Sequence, residues 1–157
     1  LASDPDVLFL DEPTAGVDPS STQVIEVAIA EARVRGMKVI LVTHDLAVVS
    51  ETCDHVNVMY AGQVVESAPA ELLFANPRHA YTRALLKSIP ASQTKGEKLY
   101  TIQGLPPILT SPPSGCSFRP RNTLGDSSQC LTDSAPALVE VAPEHFVQNC
   151  PGCLAAR

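Results

Sequence analysis

Apolar and polar positions change period along this chain, and the changes mark its elements. Val7-Leu8-Phe9-Leu10 is a continuous apolar run closed by Asp11 and Glu12. A parallel strand covered on both faces requires such a run. Asp18-Pro19-Ser20-Ser21 reads as a helix start, with Asp18 as N-cap and Pro19 at the first helical position. Val24, Ile25, Ala28, Ile29 and Ala32 then recur on one helical face, and Gly36 supplies a stop. Lys38 to Val42 predicts a second buried strand, so the opening segment reads as a βαβ unit. Ala47 to Thr52 predicts a short helix. His55 to Tyr60 and Gln63 to Glu66 predict a hairpin turning at Ala61-Gly62. Helices are expected over Pro69 to Phe74 and Ala80 to Ile89. No repeat is visible.

The pattern then weakens. Five prolines lie before residue 90 and nine from Pro90 onward, and four of the five cysteines fall in the later part. Two domains are expected, 1–90 and 91–157, the second an irregular extension rich in proline and cysteine.

In an open parallel sheet, ligands bind beyond the carboxyl ends of the strands. The first strand ends in Asp11-Glu12, the second in Thr43-His44-Asp45. Two such ends side by side bring an acid pair and a histidine to one edge. Asp11 suits a hydrated Mg²⁺ ion, which prefers oxygen ligands. Glu12 suits the orientation of an attacking water, and His44 a hydrogen bond to a phosphoryl group. Phosphoryl transfer depends on positioning and charge of this kind. Taken singly, the acid pair also reads as a strand end facing solvent, and His44 as a structural histidine. The combination favours chemistry.

Composition narrows the picture. Hydrophobic residues make up 45% of 157, enough for a core. The net charge of −6 disfavours nucleic acid as a partner. No apolar run approaches the roughly 20 residues that span a bilayer, and nothing at the start resembles a signal peptide. The chain opens at Leu1, with a strand-like run soon after. It is expected to be part of a longer sequence.

Leu8-Phe9-Leu10-Asp11-Glu12-Pro13-Thr14-Ala15-Gly16-Val17-Asp18 resembles the Walker B and D-loop segment of ABC-transporter ATPases. Val42-Thr43-His44-Asp45-Leu46 resembles their switch-histidine segment. Asn76 to Leu86 is similar to the segment that follows the ATPase core in the dipeptide and oligopeptide import branch, with Ala80 where that branch usually has Pro. Gly104-Leu105-Pro106-Pro107 and Gly115 to Arg121 are similar to its C-terminal extension.

The resemblance implies an α/β fold, the C-terminal part of a P-loop NTPase domain with a parallel βαβ core. It implies an ATP-hydrolysing subunit on the cytoplasmic face of the membrane, peripheral to it. The implied partners are a second ATPase subunit, transmembrane permease subunits and, indirectly, an extracytoplasmic solute-binding protein. By motif, Asp11 serves Mg²⁺ with ATP, Glu12 is the catalytic carboxylate and His44 the γ-phosphate sensor. Asp18 belongs to the loop that faces the opposite ATPase subunit. The G-x-x-x-x-G-K-[ST] loop, the glutamine loop and the LSGGQ-like signature are not in these 157 residues. In the family they precede the Walker B strand, so this stretch alone is expected to be inactive.

The same branch often carries four cysteines in its extension, and some members hold an iron–sulfur cluster there. Cys116 fits the first position, Cys130 the third, and Cys150 or Cys153 the fourth, but Asn122 stands where the second cysteine is expected. Cys153 is a candidate replacement. Four thiols suit a cluster or a structural zinc. Reduced, unliganded cysteines are the third reading. Cys150-Pro151-Gly152-Cys153 also has redox-motif spacing, but without the strand and helix such a motif needs. Cys53 reads as a small core residue. His79 and Tyr81 are expected to pack, His55 to be an ordinary strand residue, and His145 is a faint ligand candidate. Rival functions are a metal- or cluster-binding regulatory module without ATPase activity, an ABC ATPase of soluble machinery, and import of another solute such as nickel.

Overall fold

The computed structural model describes residues 5–89 and 99–154. The chain forms two compact units, 1–53 and 54–157. Contacts therefore divide it after Cys53, whereas composition changes near residue 90.

In the first unit, β1 (Val7–Asp11) and β2 (Lys38–Val42) pair in parallel, with Asp11 opposite Val42. The connection is α1 (Pro19–Val34), which packs against β2. Asp18 caps α1 as expected, accepting from the Ser20 and Ser21 backbone N–H groups at 3.0 and 3.1 Å. Ile29 and Ala32 are buried on the inner face, but Val24 points outward at 68% exposure. The expectation of strands covered on both faces also fails. Exposure alternates along β1 and β2, and Phe9 is 70% exposed. Only one face of this two-stranded sheet is covered among the described residues. The unit ends in α2 (Leu46–Thr52), which Asp45 caps through the Ala47 N–H at 2.9 Å.

The second unit is built on a four-stranded antiparallel sheet. The expected hairpin is present as β3 (His55–Tyr60) and β4 (Gln63–Pro69). Ala61 and Gly62 both have positive φ, 49° and 75°, which gives the tight turn the strand twist favours. The short helices α3 (Ala70–Ala75) and α4 (Ala80–Lys87) follow. The extension, read from sequence as irregular, adds a hairpin of β5 (Leu138–Ala142) and β6 (His145–Gln148). Strand β6 pairs with β4, so the sheet order is β3-β4-β6-β5. Strand β4 is thus central, and Val65 to Ala68 are all buried.

The core of this unit gathers Val58, Tyr60, Val65, Leu73, Ala84 and Phe118 beside the four later cysteines. Tyr60, Tyr81 and Phe118 form an aromatic cluster with ring centroids 4.6 to 5.3 Å apart. No helix among the described residues is long and apolar enough to cross a membrane.

Candidate functional site

The end of the first unit's sheet carries the acid pair and the histidine. Parallel pairing of β1 with β2 places Asp11 and Val42 at the same level, so the next residues of both strands share one edge. Glu12 extends the ladder by one bond, its N–H donating to Val42 O at 2.7 Å. It then leaves the strand with φ 46°, a left-handed conformation that a non-glycine residue adopts at a cost of roughly 1 kcal/mol or more. The turn is held by the Ala15 N–H donating to Glu12 O at 3.0 Å.

This turn aims the Glu12 carboxylate across to the second strand. His44 Nδ1 lies 2.8 Å from Glu12 Oε1, and Thr43 Oγ1 donates to Glu12 Oε2 at 3.3 Å. Thr43 also accepts from the Asp45 N–H at 3.1 Å. Both carboxylate oxygens are therefore fixed. In the sequence Thr43 stands out only as part of a motif; its hydroxyl depends on strand register to reach Glu12. The His44 side chain is 83% exposed and that of Glu12 36%. The hydrogen bond and charge of Glu12 raise the His44 pKa above its ordinary value of 6.5. Asp11 is exposed at the same strand end. An exposed carboxylate there offers an oxygen ligand of the kind Mg²⁺ prefers.

Asp18 lies in the loop that opens α1, exposed and engaged by its own helix. Besides the two backbone bonds, Ser20 Oγ and Ser21 Oγ both donate to its carboxylate. These donors hold it well below the usual carboxylate range.

The second unit brings together all four cysteines proposed from the sequence. Cys116 precedes the 3-10 turn Arg119–Arg121, Cys130 follows the 3-10 turn Ser127–Gln129, and Cys150 and Cys153 occupy the tight turn after β6. Their sulfurs all lie within 4.8 Å of one another, and all four residues are buried. None is in a disulfide. Cys153 Sγ is 3.5 Å from Cys116 Sγ and 3.6 Å from Cys130 Sγ. Gly152 makes the approach possible: a Cβ there would sit 2.7 Å from Cys130 Sγ and 2.2 Å from Asp126 O.

Asn122, in the place of an expected cysteine, is buried against these sulfurs. Its Nδ2 donates to Gly152 O at 2.6 Å and lies 3.6 and 3.7 Å from the sulfurs of Cys130 and Cys153. Its Oδ1 accepts from the Gly125 N–H at 2.9 Å. The thiol environments differ. Cys116 is drawn down to about 6, chiefly by hydrogen bonding from Cys153, while burial pushes Cys130 up to about 11.

A buried carboxylate that sequence reading missed lies in the same unit. Glu66 accepts from the Arg78 and His79 backbone N–H groups at 2.6 and 2.9 Å and pairs with His145 Nε2 at 2.7 Å. His145 is thereby committed to Glu66 through Nε2 and takes no place among the cysteines. The one available signal was a glutamate between Val64-Val65 and Ser67-Ala68, in the middle of a strand whose neighbouring residues are apolar or small. His79 packs as expected, capping α4 through the Tyr81 N–H at 3.1 Å, with its pKa lowered to about 4 by burial. His55 bonds Ser67 Oγ at 2.9 Å. Cys53 is half-buried at the end of α2.

Residues 65–130 match the family described as oligopeptide/dipeptide transporter, C-terminal region. The oligopeptide transport ATP-binding protein OppD of Lactococcus lactis subsp. cremoris is 46% identical over 111 residues, covering 70% of this chain and 33% of that protein. Its namesake from Mycobacterium tuberculosis is 43% identical over 147 residues, covering 92% of this chain and 24% of that protein. The dipeptide transport ATP-binding protein DppD of L. lactis subsp. cremoris is 38% identical over 150 residues, covering 95% of this chain and 42% of that protein. The chain thus spans less than half the length of these curated relatives.

Proposed function

The chain belongs to the oligopeptide/dipeptide family of ABC-transporter ATP-binding subunits, and from that membership we propose that the full-length protein hydrolyses ATP to drive peptide import. The observation that carries this reading is the Glu12–His44 pair, 2.8 Å apart at the ends of two parallel strands.

In this reading Glu12 orients the attacking water and receives its proton. Thr43 and His44 hold the two carboxylate oxygens, so that the group is set before nucleotide arrives. With its Nδ1 donating to Glu12, His44 turns Nε2 outward. The raised pKa favours the protonated ring, whose Nε2–H donates to an oxygen of the terminal phosphate. Asp11 would hold Mg²⁺, which supplies charge neutralisation at the phosphates when bound. Asp18, exposed in its loop, would face a second ATPase subunit of the same or a related kind.

The remaining partners follow from the transport role. They are membrane permease subunits and, indirectly, an extracytoplasmic solute-binding protein, with this subunit peripheral on the cytoplasmic face. Peptides are favoured over nickel or other solutes because the relatives matched across most of this chain carry oligopeptide and dipeptide transport in their names.

The test is Glu12→Gln in the full-length protein. It is expected to bind MgATP while losing turnover by about 10²-fold or more, the scale of removing a positioned acid–base group. Undiminished hydrolysis would remove Glu12 from the mechanism.

A further inference from the structure

The iron–sulfur cluster that the family resemblance implies does not suit the spacing of the cysteines. A multi-iron cluster sets iron and sulfide between its thiolates and spreads them apart. Here all four sulfurs lie within 4.8 Å of one another, with two contacts of 3.5 and 3.6 Å. One tetrahedral ion with bonds of about 2.3 Å sets its ligand sulfurs about 3.8 Å apart, a separation close to the two shortest contacts here and inside the 4.8 Å limit.

We propose that Cys116, Cys130, Cys150 and Cys153 bind a single Zn²⁺ ion, with Cys153 as the fourth ligand and Asn122 as the residue that positions it. The site is complete with four thiolates and leaves no open coordination position, so the ion is structural. It ties the two 3-10 turns to the turn after β6 across gaps of 13 and 19 residues. Four thiolates on one divalent ion leave a net negative charge, which needs donors around it. Asn122 supplies an amide beside the sulfurs of Cys130 and Cys153. The Arg83 guanidinium adds positive charge near Cys153 and donates to its carbonyl at 3.5 Å.

Asn122 also explains the exchange of ligands. Its carboxamide bridges Gly125 and Gly152, fixing the turn that presents Cys153. A side chain that turns its Nδ2 to the sulfurs and its oxygen to Gly125 thus holds the expected cysteine's place and brings Cys153 in as another thiol. This inference stands apart from the nucleotide chemistry of Glu12 and His44.

The experiment uses the full-length protein, produced with iron and cysteine in supply and purified under nitrogen. Metal and acid-labile sulfide are then counted. One zinc per chain without sulfide is expected. Exchange with Co²⁺ should give the tetrahedral d–d bands and the sulfur-to-cobalt charge transfer of a four-thiolate site. Iron and sulfide together at several per chain would overturn the single-ion assignment in favour of a cluster. A folded protein free of metal that gives no such Co²⁺ spectrum would overturn metal binding altogether. Cys53→Ser should leave the zinc count unchanged, and Cys153→Ser should lower it or weaken zinc retention against a chelator. Asn122→Asp, which sets a carboxylate beside two thiolates, should weaken zinc retention about 10- to 100-fold, the range for groups that orient metal ligands. Unchanged retention in Asn122→Asp would overturn the positioning role.

Discussion

The two units each contain a histidine bonded to a glutamate, and the two pairs have nearly the same length. His44 and Glu12 are 2.8 Å apart, His145 and Glu66 2.7 Å. Their surroundings differ completely. The His44 side chain is 83% exposed, whereas His145 and Glu66 are 1% and 0% exposed. The first pair stands at a strand end with one imidazole nitrogen left for a ligand. The second lies inside a sheet, where Glu66 also accepts two backbone N–H groups. Contact chemistry alone does not set the pair proposed as catalytic apart from a structural one; burial and the remaining partners distinguish their surroundings.

The largest test of this contrast is Glu66→Ala. It removes the acceptor of three hydrogen bonds and leaves a buried histidine without its partner. A loss of about 3–5 kcal/mol is expected, measured by denaturant unfolding. A loss below about 1 kcal/mol would mean that the pair is not what holds β4 to β6. Glu12→Gln should do the reverse, leaving the unfolding midpoint almost unmoved while turnover falls as described above. A large drop in stability would make Glu12 structural too.

The smallest effect concerns protonation. The His44 pKa is raised by Glu12, so Glu12→Gln should bring it back toward the ordinary value of 6.5. An NMR titration of the ring protons in both forms reads the shift directly. The sign follows from linkage. A raised folded pKa gives stability that is fully present below the unfolded value and lost as pH rises through the folded one. Because the ring is exposed, solvent screens the pair and the effect on unfolding is small. Equal titration midpoints in the two forms would sink the assignment of the shift to Glu12.

Much of the first unit was legible in its residues. The run Val7 to Leu10, the cap at Asp18 and the run Lys38 to Val42 give strand, helix and strand at the observed places. Local physics suffices there, because propensity, capping and periodicity all act within a few residues. The outward exposure of Phe9 was not legible, since an apolar run states what can be buried and not what is present to cover it. In the second unit, β6 escaped notice for a different reason. His145-Phe146-Val147-Gln148 has a buried polar residue at each end, and besides the adjacent β5 it pairs with β4, some 80 residues earlier.

The candidate sites divide in the same way. Local sequence determined which side chains end the strands and which four thiols are available. Only the tertiary structure decided that Thr43 holds Glu12, that His145 belongs to Glu66, and that Cys153 joins Cys116 and Cys130. Each of these is a contact between groups distant in sequence. Its geometry is set by strand register, by the left-handed turn at Glu12, or by the close approach that Gly152 permits, none of which a local pattern encodes.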